Sequence, residues 1–372
     1  MTKPDDLLPE GLQDRLPREA EQITRAMRTA LDTLMAHGYD RVRPPLIEFE
    51  KSLSGRMVSG PDGVKTRRMF RFVDPASLRT LALRSDMTPQ IGRIAAPSLA
   101  DDPRPLRLAY SGETAVIKAD QLDPARQRLQ LGAELIGSDS VAAASEIVAL
   151  AVEALDAAGL KGISIDFTLP DLVDTLAEKA MPLSDDATEP VRRELDAKDA
   201  GALKSVGGEA YLPLLYATGP IDEALEKLRV IDAGRALSSR ISGLEQVAGR
   251  LGSRARITLD PTERHGFEYQ SWFGFTLYAE GVRGAVGRGG TYAIKGSDEP
   301  ATVFTLFLDR LATATGEGEP AQKLYLPVGH DEDAAARLRA IGWCTIAQIG
   351  ESEDAKALGC THRLEGKEPV SI

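Results

Sequence analysis

The chain has 372 residues, 42% of them hydrophobic and 27% charged, with a formal net charge of −11. That length predicts two or three domains, and the apolar fraction is enough for packed cores. The acidic balance argues against a main role on tRNA or DNA, because such surfaces are usually basic.

No run reaches the roughly 18 apolar residues of a membrane helix. The opening MTKPDDLLPEG has no apolar stretch, so no signal peptide is expected and the cytoplasm is the expected location. Cys344 and Cys360 stand without ligand spacing, which predicts reduced thiols rather than a disulfide framework or a zinc site.

Pro17–His37 reads as an amphipathic helix, with Pro17 in its first turn. Ile23, Met27, Leu31, Leu34 and Met35 fall on one face, and Gly38 is placed to end it. A strand ending at Pro45 follows within GYDRVRPPLIE, Gly38–Glu48. Met69–Val73 and Leu78–Leu83 read as strands around a turn at Asp74–Pro75, the second running into LRSDMTP, Leu83–Pro89. Two more strands are expected at Leu106–Ile117 and Arg128–Ile136. Ser140–Ala158 is an alanine-rich helix closed by Gly159, and Ile163, Ile165 and Phe167 alternate as a strand. Strands in this order with helices on one side predict an α+β fold.

Between Asp171 and about Leu251, short apolar stripes, glycine breaks and many charges read as several helices. They form a helical insertion or, alternatively, a continuation of the main domain. Strand patterns return at Arg256–Leu259 and at Phe273, Phe275 and Leu277, before the glycine-rich GAVGRGGTY, Gly284–Tyr292. Ala301–Leu311 reads as an apolar helix carrying Arg310. TGEGEP, Thr315–Pro320, reads as a linker. Lys323–Val328, Asp331–Ile341 and Thr345–Ile349 then read as strand, helix and strand of a small α/β unit. The expected domains are 1–316, with its insertion at about 171–251, and 321–372.

Gln130 and Glu134 are four apart on an expected strand, so they share a face. With Asp86 they form a set of acceptors; the alternative is polar residues solvated at a sheet edge. His265, in RHGFEYQSW at Arg264–Trp272, is either a ligand group or an ordinary polar loop residue. The four histidines are far apart, so a histidine-based metal site is not expected. GRGGTY lacks the Lys-Ser/Thr ending and the strand–loop–helix setting of a phosphate loop.

Tyr110–Gly137, YSGETAVIKADQLDPARQRLQLGAELIG, carries Gly112, Gln130, Gly132, Glu134 and Gly137. This stretch resembles the second signature motif of class II aminoacyl-tRNA synthetases, and of histidyl-tRNA synthetases in particular. A gapless comparison puts Val116 at that family's arginine and Lys118 at its glutamate. Valine has neither a donor nor a charge with which to neutralise an α-phosphate. LRSDMTP is similar to the LRPEGT loop, with Asp86 for glutamate and Thr88 kept. Pro45 matches the proline of the first motif, which builds the dimer interface. RHGFEYQSW is similar to the RGLDYY segment, with His265 at the arginine, Glu268 at the aspartate, Tyr269 at the first tyrosine and Gln270 at the second. Arg264 stands one position from the lost arginine. Ala301–Leu311 resembles the third motif, with Arg310 where an arginine covers adenine. Val303 and Phe307 replace glycines that face the nucleotide.

A synthetase scaffold without its ATP residues resembles one family closely, the regulatory subunits of ATP phosphoribosyltransferase. The resemblance implies an antiparallel class II sheet flanked by helices, in a non-catalytic subunit needing no cofactor. It implies three partners: a short-form catalytic subunit, a second copy of the chain, and free histidine as effector. The catalytic subunit joins ATP to phosphoribosyl pyrophosphate in the first step of histidine biosynthesis. The histidine site implied is Asp86, Thr88, Gln130, Glu134, His265 and Tyr269, with Asp86 and Gln130 at the ammonium and Glu134 at the imidazole. Two rivals are a working histidyl-tRNA synthetase and a synthetase-like tRNA sensor. Val116 and Phe307 count against the first, and the acidic charge and short C-terminal unit against the second.

Overall fold

The computed structural model describes residues 7–56, 69–118, 124–264, 270–297, 299–311, 322–350 and 353–372. The chain divides into two compact units, Met1–Thr315 and Gly316–Ile372. The larger opens with α1 (Pro17–Ala36), β1 (Asp40–Val42), β2 (Ile47–Phe49), α2 (Glu50–Arg56), β3 (Arg71–Val73), β4 (Thr80–Leu83) and α3 (Thr88–Ala95). Next come the long hairpin β5 (Leu106–Ala115) and β6 (Gln127–Ile136), then α4 (Val141–Ala157) and β7 (Ser164–Thr168). The helical stretch holds α5 (Leu172–Lys179), α6 (Asp185–Asp196), α7 (Ala200–Ser205), the short β8 (Gly219–Pro220), α8 (Ile221–Ile231) and α9 (Ser238–Leu251). The unit closes with β9 (Arg256–Leu259), β10 (Gln270–Tyr278), β11 (Gly287–Ala293), β12 (Pro300–Phe307) and the one-turn α10 (Leu308–Leu311).

A nine-stranded sheet runs β1-β5-β6-β12-β11-β10-β7-β9-β8. Every neighbouring pair from β5 to β7 is antiparallel, while β1 joins β5 and β9 joins β7 in parallel. One face carries Leu131, Ala133, Leu135, Phe304, Phe275 and Phe167 into the main core, packed with residues of α1, α4 and α9. The helical stretch contributes Leu176, Val191, Leu203 and Leu228 to that same core. α1 buries Ile23, Ala26, Ala30, Leu31 and Leu34, three and four apart, while Met35 of the expected stripe is 55% exposed. The opposite face is half apolar. There Leu108, Tyr110, Ile136, Tyr292 and Val303 pack with Met87, Ile91 and Ala95, which belong to α3 and the loop before it.

The expected helix over Ala301–Leu311 is corrected. Its first seven residues are the central strand β12, paired on both sides, and only Leu308–Leu311 turn as helix. Thr302, Val303 and Thr305 are β-branched and Phe304 and Phe307 aromatic, which suits a strand. A strand buried on both faces shows a continuous apolar run, and that hides its period of two.

In the smaller unit, β13 (Lys323–Leu326), α11 (Glu332–Ala340), β14 (Cys344–Ala347), β15 (His362–Glu365) and β16 (Glu368–Ser371) form a sheet in the order β14-β13-β15-β16. Leu324, Leu326, Ala335 and Leu364 make its core. The β15–β16 hairpin extends the expected strand–helix–strand. Only Leu364 is buried within it, so the sequence carries no alternation to announce it. The expected linker Thr315–Pro320 lies outside the described residues. Among the described residues no helix is long and apolar enough to cross a membrane.

Candidate functional site

The site lies on the half-apolar face, over β5, β6, β12 and β11. Directly opposed residues of antiparallel neighbours share a face, so the register lays out its rows. One row is Gly112–Gln130–Phe307, the next Tyr110–Gly132–Thr305, and the third Leu108–Glu134–Val303. Gly132 makes the middle row possible. A Cβ there would stand 2.5 Å from the Tyr110 ring and 2.6 Å from the Phe304 carbonyl. Tyr110 therefore lies over the glycine, its hydroxyl 3.0 Å from Thr305 Oγ1 and 3.5 Å from Thr88 Oγ1.

The loop before α3 is laid against this face by polar contacts. Gln130 Oε1 accepts from the Met87 N–H at 3.3 Å, and Asp86 Oδ1 from the Thr88 N–H at 3.4 Å. Arg84 anchors the loop from behind, donating to the Glu113 carbonyl at 2.6 Å and the Pro44 carbonyl at 3.0 Å. Gly112 leaves room for that guanidinium, since a Cβ would meet Arg84 Nη2 at 2.1 Å.

Glu134 is fully buried at the centre. Its Oε2 accepts from the Tyr292 hydroxyl at 2.8 Å, and its Oε1 has no hydrogen-bond partner. Burial pushes the carboxyl up to about 8, and the charge of Asp86 adds to the rise. The hydroxyls of Tyr292, Thr88 and Tyr110 pull the other way. None of these groups is a cation. Burying a carboxylate without a countercharge is costly, so the empty oxygen marks a place for a proton or for a donor.

At the β6–β12 end the arrangement differs. Asp309 Oδ2 accepts from Arg128 at 2.8 Å, and Arg310 donates to the Ala285 carbonyl at 2.5 Å. The two guanidinium carbons stand 5.9 and 5.6 Å from the Phe307 ring centre, so the phenylalanine has two cations within cation–π range. Val116 N–H is taken by the Arg126 carbonyl at 2.8 Å, and Lys118 is exposed.

The structure thus brings together Asp86, Thr88, Gln130 and Glu134 of the expected set. His265 and Tyr269 lie outside the described residues. Arg264 turns to the helical stretch, where its N–H donates to Asp196 at 2.8 Å and its guanidinium to Glu189 at 3.0 Å. Tyr292 and Tyr110 are the residues that sequence reasoning missed. Tyr292 closes GRGGTY, where the glycines drew attention away from the ring. Among the described residues no three His, Cys, Asp or Glu side chains stand close enough together to hold a metal.

The histidyl-tRNA synthetase family model matches residues 11–311. An ATP phosphoribosyltransferase regulatory subunit of Rhodospirillum centenum is 41% identical over 97% of this chain and 95% of its own length. The chain belongs to that family. The Gluconobacter oxydans regulatory subunit is 38% identical over 96% of this chain and 94% of its own. Among solved structures, an ATP phosphoribosyltransferase regulatory subunit/histidyl-tRNA synthetase from Bacillus halodurans superposes with a TM-score of 0.80 at 25% identity, covering 96% of this chain and 97% of that one. Histidyl-tRNA synthetase from Nostoc, at 16% identity, shares the fold with a TM-score of 0.77, covering 96% of this chain and 90% of that one. The α+β, class II synthetase-like architecture expected from the sequence is the fold of this regulatory-subunit family member.

Proposed function

We propose that the chain is the non-catalytic partner of a short-form ATP phosphoribosyltransferase catalytic subunit and that its Glu134 pocket binds free histidine as a feedback signal. The complex would join ATP to phosphoribosyl pyrophosphate, giving phosphoribosyl-ATP and pyrophosphate. Membership of the regulatory-subunit family supports the first part. The single observation behind the second is Glu134 Oε1, a fully buried acceptor without a partner. An imidazole N–H is a donor of the right kind for it, while Asp86 and Gln130 border the same space and suit an ammonium.

Amino-acid activation is not expected of this chain. Phe307, Arg128, Asp309 and Arg310 form a mutually engaged cluster beside Gln130, and Val116 offers no side-chain donor to a phosphate. We also assign the self-interface to the small sheet β2-β4-β3, beside Pro45. It leaves Ile47 and Phe72 exposed on one face, an apolar surface suited to a second copy. His265 and Tyr269 remain part of the proposed histidine site, and the cytoplasm remains the proposed location.

Reconstitution tests the reading. The purified chain mixed with a short-form catalytic subunit should raise phosphoribosyl-ATP formation and run with it as one complex in light scattering. Alone, it should show no histidine-dependent ATP–pyrophosphate exchange. Exchange at the rate of an ordinary synthetase, with no effect on the catalytic subunit, would overturn it.

A further inference from the structure

The row one step from Glu134 continues past the pocket. Thr305 on β12 is opposed by Arg288 on β11, and Arg288 by Thr276 on β10. By the same register, Val303, Gly290 and Gly274 form the floor of the Glu134 row. Two of its three residues are glycines, which place no side chain there, and Glu134 stands at one end. Tyr292 walls it on one side, and Arg288 and Thr276 on the other. Strand and residue spacings put the Glu134 and Arg288 Cα atoms about 12 Å apart.

A second orphan stands on this wall. Thr276 is fully buried and its hydroxyl has no hydrogen-bond partner. An unmet buried hydroxyl is unfavourable, as an unmet buried carboxylate oxygen is. The two orphans share one face, and Arg288 is the direct cross-strand neighbour of Thr276 in its row. Past Thr276 the row reaches Asp166, whose Oδ1 accepts from Thr258 at 2.7 Å.

We propose that Arg288, with Thr276 beside it, holds the carboxylate of the ligand, so that the pocket takes a free, zwitterionic α-amino acid whole. This rests on the histidine reading of the Glu134 pocket and adds the group that selects the free acid. Glu134 reads the imidazole, Asp86 and Gln130 the ammonium, and the guanidinium the carboxylate. A fork of N–H donors matches a carboxylate better than it matches a hydroxyl or an ester carbonyl. The sequence hides this role because Arg288 sits inside a glycine-rich run, and only the strand register shows which face it takes.

The test is calorimetric titration of the full chain with histidine, histidine methyl ester and histidinol. Wild type should prefer histidine to both analogues by on the order of tenfold to a hundredfold, as for loss of a charge-assisted hydrogen bond. Arg288→Gln should weaken histidine by about tenfold or more while changing histidinol by less than about twofold, so the preference collapses. Thr276→Val should reduce the preference by a smaller factor. Equal wild-type affinities for the three compounds, or parallel losses for histidine and histidinol in Arg288→Gln, would overturn the assignment and leave the histidine pocket standing. Binding of none of the three would remove the pocket as well. If Arg288→Gln does not fold, the wild-type series and Thr276→Val decide.

Discussion

Glu134 on β6 and Asp309 just past β12 are both buried carboxylates with one oxygen bonded and the other without a partner. They differ in what compensates the charge. Asp309 has Arg128 at 2.8 Å and Arg310 as its chain neighbour. Glu134 has a phenol at 2.8 Å, and the groups acting on it are hydroxyls and another acid. A buried acid with its own cation is part of the scaffold. One without a cation is held ready for a proton or a ligand. The comparison separates two neighbouring stretches of one sheet face, the first turned inward on itself and the second left open.

The largest effect should come from breaking the closed stretch. Arg128→Ala takes from buried Asp309 the cation bonded to it, and loss of one partner of a buried pair costs about 3–5 kcal/mol. Urea unfolding should show that loss. A change near zero would mean that Asp309 gains water instead, and that the end beside Phe307 is open too.

A smaller effect sharpens the other half. The Glu134 carboxyl, near 8 when folded against 4.5 in its ordinary state, keeps a proton in the folded chain that the unfolded chain has lost. Stability from this group is therefore complete below about 4.5 and is lost as pH rises through about 8. Glu134→Gln cannot ionise, so its unfolding free energy should fall less steeply over that window. An unchanged slope would show that Glu134 ionises freely and lacks the burial described.

Much of this was legible in the sequence, for physical reasons. The strands of the long hairpin β5–β6 were expected at Leu106–Ile117 and Arg128–Ile136, and Gly112 and Gly132 stood out through the resemblance to the second signature motif. α1 and α4 carried their helical stripes openly. β12 was misread because a strand buried on both faces has no alternation to show. The pocket was half legible. Gln130 and Glu134 stood out by their spacing, and Asp86 and Thr88 through the resemblance to the LRPEGT loop, whereas the places of Tyr110, Tyr292 and Arg288 on this face follow from cross-strand register, which no local pattern encodes. The β15–β16 hairpin buries one leucine and was silent for that reason.

The central claim is that histidine acts through Glu134. The most direct measurement is phosphoribosyl-ATP formation by the complex as histidine is titrated, with wild-type chain and with Glu134→Ala. The half-inhibiting histidine concentration should rise roughly tenfold or more in the variant, because an imidazole donor loses its buried acceptor at a cost of about 1–3 kcal/mol. An unchanged value would contradict the account and place the histidine site on the catalytic subunit or at its boundary with this chain.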